Sequence, residues 1–443
     1  MEKPFSVIAC LDSQNGIGKD NKMAWCVPSE MKFFRETTLN SIVIFGRITF
    51  ESIGRKLPHR WNVVISSNKF IEGADEVFSS LIDALEAHKE SSTDIFVCGG
   101  AQLYTEAIVL KSCKELILSR VLGDFECDSF FPEIKKEWVI ESTELHKEFV
   151  VNVYKRNVIG NEFDSQFEKL INQIIQQGVW RETRNSRCLS LFCPNPLRFD
   201  LSTGKFPLFT TRRVPWKATV IELIWFLSGN TDGTFLKDNK VAIWDQNIED
   251  FKQKGYAKFQ NDAGFIYPKQ FRAFGTDDDN FDQISYILDE IRNNSNSRRI
   301  FVSNYSPLDH VKHPERAALP PCHVFFQVFC HDDGKLDLMV LMRANDMGSG
   351  ASINCASYAL LLLLICKSTR KKPGTLIYNI NCADIYENHY SDIKRQIGRY
   401  SYEAPTVEIS DRLIDSDLKD VKFEDIVLKD YNYQPAIKYE MVL

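Results

Sequence analysis

The first third of the chain alternates short apolar runs with helical stretches, and that rhythm admits few folds. Residues 5–10, 41–45, 62–66, 95–98 and 115–119 are short, mostly apolar, β-rich runs of strand length, and they read as buried strands. Between them, residues 31–37 and 80–88 have helical character, the second with Ser79 or Ser80 placed to cap its start. Strand–helix–strand repetition predicts an α/β sheet with ligands near the strand ends. Residues 149–156 supply a strand that closes this part. The stretch Val158-Ile159-Gly160-Asn161 follows, without a Pro/Ser-rich or charged linker. We therefore expect one domain over residues 1–158 and a second over 159–443, opened by an amphipathic helix at 163–177.

A length of 443 residues exceeds one ordinary domain. Hydrophobic content of 44% and charged content of 26% are those of soluble globular proteins. A net charge of −6 gives no reason to expect nucleic acid as a partner. The longest apolar run, residues 359–366, is too short to cross a bilayer and reads as a buried helix, ended by Lys367, Arg370, Lys371 and Lys372 ahead of Pro373. No membrane association is expected. The N-terminus lacks a signal-peptide pattern. Twelve cysteines occur without CxxC or Cys/His ligand spacing, which indicates neither zinc nor a disulfide framework, so no metal is expected. Reduced thiols fit a cytoplasmic protein.

Three places carry chemistry. Cys322 follows Leu319-Pro320-Pro321 at the edge of the apolar run 324–328. The prolines fix the approach of the chain, so the spacing predicts a thiol presented at the start of a strand, with Arg298, Arg299 and Arg343 as available cations. An isolated cysteine would read as apolar filler; these surroundings favour a nucleophile. Glu30 lies five residues after Trp25, among Met31, Phe33 and Phe34. A carboxyl in such company suits proton transfer. Glu222 sits inside the apolar helical run 220–225, where a carboxylate is rare without a task.

Asn15-Gly16-Ile17-Gly18, Met23-Ala24-Trp25, Glu30, Phe45-Gly46-Arg47, Cys98-Gly99-Gly100-Ala101 and Asp128-Ser129-Phe130-Phe131-Pro132 resemble dihydrofolate reductase over about residues 4–157. The resemblance implies an α/β dihydrofolate reductase fold with NADPH as cofactor and dihydrofolate as substrate. It implies Glu30 as the proton relay, and Trp25, Phe34, Ile53 and Arg60 around the folate, Arg60 holding the α-carboxylate of its tail. It implies Ala9, Gly18, Arg47, Thr49, Ser66, Gly99, Gly100 and Ala101 against the cofactor, with a cis peptide at Gly99-Gly100. Ala24 stands where the family carries proline. Ser67 stands where many members carry an arginine for the 2′-phosphate, a charge that passes to Arg47 and Lys69.

Ser297-Arg298-Arg299-Ile300, Leu319 to His323, Arg343-Ala344-Asn345-Asp346-Met347-Gly348, Asn354-Cys355-Ala356-Ser357-Tyr358 and Phe423-Glu424-Asp425-Ile426 resemble thymidylate synthase from about residue 163 onward. This implies an α+β thymidylate synthase fold that methylates dUMP with 5,10-methylenetetrahydrofolate as co-substrate. Cys322 is then the nucleophile, Glu222 organises proton transfer, and Asn354 reads the pyrimidine amide. Asp346, Tyr267, Trp244, His323 and Tyr386 complete the site. Arg343 holds the phosphate with Arg298 and Arg299, which in the family come from the partner of a homodimer.

Several positions depart from the family. Its Arg-Thr-Gly phosphate loop reads Glu182-Thr183-Arg184-Asn185-Ser186-Arg187, leaving Arg184 or Arg187 to substitute. Met342 and Ala344 flank Arg343 in place of Gln and Ser, Pro268 follows Tyr267 in place of Gly, and in the family's Gly-Asp-x-His-x-Tyr segment Asn381, Cys382 and Asp384 replace Gly, Asp and His. Each hydrogen bond lost from a charged ligand group costs about 1.5–3 kcal/mol, which predicts weaker dUMP binding. The whole chain resembles the fused reductase–synthase of protists and plants. The competing reading is an active reductase whose synthase half is a dimerisation scaffold or regulatory partner.

Overall fold

The structure, a computed structural model, describes residues 3–135, 137–157, 160–183, 186–276 and 278–440. The chain divides into residues 1–159 with 398–400, and residues 160–397 with 401–443.

In the N-terminal part, eight strands form one sheet in the order Glu76–Phe78, Trp61–Ile65, Ile42–Gly46, Ile95–Val97, Phe5–Leu11, Cys113–Val121, Phe149–Arg156, Trp138–Leu145. The first six pair in parallel and the last two add antiparallel. All five expected buried runs are strands, displaced by at most two residues at either end. Two edge strands escaped the apolar pattern for a physical reason. Glu76–Phe78 has three residues, and Trp138–Leu145 buries Trp138 while its other side chains are exposed. The expected helix at 31–37 begins earlier, as Pro28–Thr37, because proline suits a first helical turn and lacks the N–H that would be orphaned there. Ser80 caps Leu81–Ala87, its side chain accepting from the Asp83 N–H.

In the C-terminal part, helix Glu162–Gln177 is capped by Asn161, which accepts from the Asp164 N–H. A five-stranded sheet runs Leu197–Asp200, Lys372–Ile380, Lys335–Met342, His323–Cys330, Phe301–Ser303. Lys335–Met342 and Lys372–Ile380 are parallel and so need a long crossover, which helix Gly350–Thr369 supplies. The apolar run 359–366 is a buried helix as expected, and the helix begins earlier than that run, at Gly350. The helix has 20 residues and is long and apolar enough to cross a membrane, yet most of its apolar window is buried inside the fold. It packs against helix Trp216–Ser228, which buries nine consecutive residues from Thr219 to Leu227. A second sheet runs Val179–Glu182, Arg187–Phe192, Cys382–Tyr386, Asn345–Asp346.

Candidate active sites

In the N-terminal domain, the helix Pro28–Thr37 turns Glu30 inward, and the residue is 5% exposed. Burial raises the carboxyl above its ordinary range, while hydrogen bonds with Ser119 and Cys10 oppose the rise. Trp25 is buried beside it, 5.2 Å from the Phe125 ring, and its indole N–H donates to Cys10 Sγ at 3.3 Å. Phe34 and Ile53 pack against the apolar cluster of Ile8, Val43, Phe45 and Phe50. Arg60 is buried with neutral partners: Nε donates to the Pro58 carbonyl and Nη1 to Thr38 Oγ1, both at 3.1 Å. A buried guanidinium held this way suits an incoming carboxylate.

The expected cofactor residues gather at the strand ends. Gly46 pairs with Ile65, which sets Arg47 and Ser66 on adjacent strand ends. The Gly99-Gly100 peptide is cis, and Gly99 has φ +129°. A Cβ on Gly100 would fall 2.9 Å from Thr49 Oγ1, so backbone and Thr49 approach closely only because the position is glycine. Ala101 opens the helix Ala101–Ala107 directly after it. Ala9 is buried in the strand Phe5–Leu11. Gly18 lies instead in the short pair formed by Gly16–Gly18 and Ser129–Phe130. Arg47 carries an exposed ion pair with Glu51 at 2.8 Å, of a kind weak enough to exchange for a ligand anion.

In the C-terminal domain, Cys322 immediately precedes the strand His323–Cys330, as its prolines predict. Arg343 Nη2 lies 3.6 Å from Cys322 Sγ, and the Arg343 N–H donates to the Cys322 carbonyl at 2.7 Å. The Tyr267 hydroxyl accepts from the N–H groups of Cys322 (2.9 Å) and His323 (3.4 Å), fixing the backbone that carries the thiol. Glu222 is buried and accepts from Trp244 Nε1 at 2.7 Å. Burial raises its carboxyl to about 7 against that hydrogen bond. Burial likewise lowers His323 to about 4, opposed by a hydrogen bond with Asn354, so this imidazole is neutral at neutral pH. Asn354 Nδ2 donates to Asn345 Oδ1 at 3.2 Å. Asp346 accepts from the Gly348 N–H at 2.9 Å and from the Ser349 hydroxyl, with His389 Nδ1 at 3.3 Å. Tyr386 is half-buried, and burial pushes its hydroxyl up to about 12.

Two expected residues lie apart from this cluster. Arg298 and Arg299 are exposed between helix Gln283–Asn293 and strand Phe301–Ser303. Of the substitutes for the phosphate loop, Arg184 lies outside the described residues. Arg187 is engaged by Glu387 at 3.0 Å and Glu182 at 3.9 Å, with its guanidinium over the Trp180 ring.

The sequence reading missed a network around Asp384. Its buried carboxylate accepts from the Ser190 hydroxyl and lies 3.7 Å from Arg181 Nη2. Arg181 also donates to Ser190 Oγ and Cys382 Sγ, each at 2.8 Å. The pairing of Ser190 opposite Asp384 across two strands creates the cluster, a long-range register that no local motif announces. Cys10 and Ser119 were missed for the same reason.

The geometry defines a two-site enzyme: a buried acid near a cluster of aromatic side chains on one domain, and a cysteine nucleophile beside an arginine on the other. The dihydrofolate reductase family matches residues 4–160 and the thymidylate synthase family residues 165–443. Full-length relatives include the bifunctional dihydrofolate reductase-thymidylate synthases of Paramecium tetraurelia (32% identical, covering 100% of this chain and 99% of that protein), Leishmania major (32%; 100% and 95%) and Zea mays (31%; 99% and 96%). The chain belongs to the bifunctional dihydrofolate reductase–thymidylate synthase family.

Proposed function

We propose that the reductase activity of this bifunctional enzyme runs through Glu30 and the synthase activity through Cys322. The chain reduces dihydrofolate to tetrahydrofolate and converts dUMP to dTMP. For the first reaction, the buried Glu30 beside Trp25 carries the argument: an acid in a dry cleft moves a proton to the pterin near neutral pH. Phe34 and Ile53 exclude water, and Arg60 anchors the folate tail. Gly99, Gly100, Ala101, Thr49, Ser66, Arg47, Gly18 and Ala9 form a cradle whose close backbone approach fits a dinucleotide. NADPH supplies the hydride when bound there. We place the domain boundary after residue 158, give the first domain the α/β label and the second the α+β label, and propose a cytoplasmic location.

In the synthase domain, the Arg343 guanidinium 3.6 Å from Cys322 Sγ carries the argument. A cation there stabilises negative charge on the attacking sulfur. Asn354 offers a donor and an acceptor to the uracil edge. His323, Asp346 and Tyr386 line the nucleotide side, and Tyr267 orients the nucleophile. Release of tritium from 5-tritiated dUMP by the purified protein tests this activity. NADPH oxidation dependent on dihydrofolate tests the other.

Glu222 is the proton-handling group of the synthase. Because burial brings it to about 7, the synthase rate should bend near pH 7. Glu222→Gln should remove that inflection together with most of the activity, and an unchanged inflection in the variant would disprove the role.

The synthase domain also forms a homodimer, which lets Arg298 and Arg299 reach a neighbour's phosphate. Both arginines are exposed, and Phe301 and Phe329 expose apolar rings on the same sheet. Sedimentation should give a dimer for the full chain and a monomer, still able to reduce dihydrofolate, for residues 1–158. A monomeric full chain at micromolar concentration would rule the dimer out.

A further inference from the structure

We propose that Cys10 is a positioning residue of the reductase site, holding the Glu30 carboxylate through its S–H while the Trp25 indole holds its sulfur. This rests on Glu30 as the acid. Strand Phe5–Leu11 runs parallel to Cys113–Val121, with Cys10 directly opposite Ser119. Neighbours in register leave a sheet on the same side, and both side chains face Glu30. The Trp25 N–H donates to Cys10 Sγ at 3.3 Å, and the thiol is hydrogen-bonded to the Glu30 carboxyl. Ser119 Oγ is fully buried and interacts with the same carboxyl.

A buried cysteine acting as filler needs neither an N–H donor nor a carboxyl beside it. Here the sulfur accepts and donates in one chain, and such chains polarise their members cooperatively. The arrangement requires a protonated thiol. Burial, and then the nearby Glu30 charge, push Cys10 far above its ordinary range, so it acts as a donor and not as a nucleophile. Tyr104 also feels Glu30. It is buried, donates to the Ile8 carbonyl at 2.8 Å, and is kept neutral by burial. Burial is the largest influence on Glu30, with Ser119 and Cys10 opposing it. Removing the thiol donor therefore shifts Glu30 further upward.

The test is the pH dependence of dihydrofolate reduction by the full-length protein carrying Cys10→Ala, Cys10→Val or Cys10→Ser. Ala and Val should displace the Glu30 inflection upward by about half to one pH unit, a three- to tenfold change in proton affinity. Ser retains a donor and should return the profile toward the original. Val keeps the volume if the Ala cavity prevents folding. NADPH binding, read by fluorescence, should be unchanged in all three. Ala and Val profiles that superimpose on the parent, or move downward, would overturn the role of Cys10. Loss of the assignment of Glu30 itself would show separately, as an inflection that survives Glu30→Gln.

Discussion

Glu30→Gln is expected to lower dihydrofolate reduction at pH 7.5 by roughly a hundred- to ten-thousandfold, the usual worth of a positioned general acid, while leaving NADPH binding intact. The carboxyl and the carboxamide fill the same space, so Trp25, Phe33 and Phe149 should keep their packing around the cleft. What disappears is the exchangeable proton. Part of the rate should return as pH falls, because dihydrofolate then takes its proton from solution. Burial raises Glu30 while Ser119 and Cys10 oppose the rise, so the parent's inflection should lie above the ordinary carboxylate range. The raised carboxyl is protonated more readily in the fold than in the unfolded chain. Its ionisation therefore costs stability as pH rises through the folded value, a cost absent from Glu30→Gln. Steady-state rates across pH, with NADPH affinity measured in parallel, decide the matter; near-normal turnover at pH 7.5 would remove Glu30 from the mechanism.

The reductase site was largely legible in sequence because its parts are local. Trp25 and Glu30 are separated by less than two helical turns, and Gly99-Gly100 marks its own strand–helix junction. A carboxyl among aromatic residues announces its burial, and the structure places it at 5% exposure. What sequence left dark depends on register between distant strands. Cys10 reaches Glu30 because residue 10 lies opposite residue 119, and Asp384 meets Arg181 because residue 190 lies opposite residue 384. A one-residue slip would send either set to the other face. The edge strand Trp138–Leu145 was missed because a strand exposed along all but its first residue has no core-facing run to display. The core helix was underestimated because its first turns, Gly350 to Tyr358, mix small and polar residues that are nonetheless mostly buried.

The Asp384 network changes how the synthase departures should be weighed. A carboxylate in place of an imidazole suggests repulsion toward a nucleotide dianion. Here that carboxylate is already bonded to Ser190 and faces Arg181, so much of its charge is answered inside the protein. Met342 is fully buried beneath the site and presents no polar group to a ligand, so its cost is a missing hydrogen bond and not a clash.

Cys322 should therefore still form the covalent complex that defines the synthase reaction. Incubation with 5-fluoro-dUMP and methylenetetrahydrofolate should increase the intact mass by nucleotide plus folate, and Cys322→Ser should abolish the increase. The chemistry needs a thiolate, a fixed backbone and a neighbouring cation. The structure supplies the last two through Tyr267, which accepts from the Cys322 N–H at 2.9 Å, and Arg343, 3.6 Å from the sulfur. The departures act on affinity: each missing phosphate or ribose contact worth about 1.5–3 kcal/mol raises the nucleotide concentration for half-maximal labelling about ten- to a hundredfold. Ala344→Ser adds a hydroxyl beside Arg343 and should lower that concentration. Asp384→His should recover less, because it also strips Arg181 of its carboxylate and leaves a guanidinium facing an imidazole. Millimolar nucleotide that leaves the mass unchanged, alongside normal dihydrofolate reduction, would mean that this domain serves as a scaffold and that Arg343 and Tyr267 hold Cys322 in place without using it.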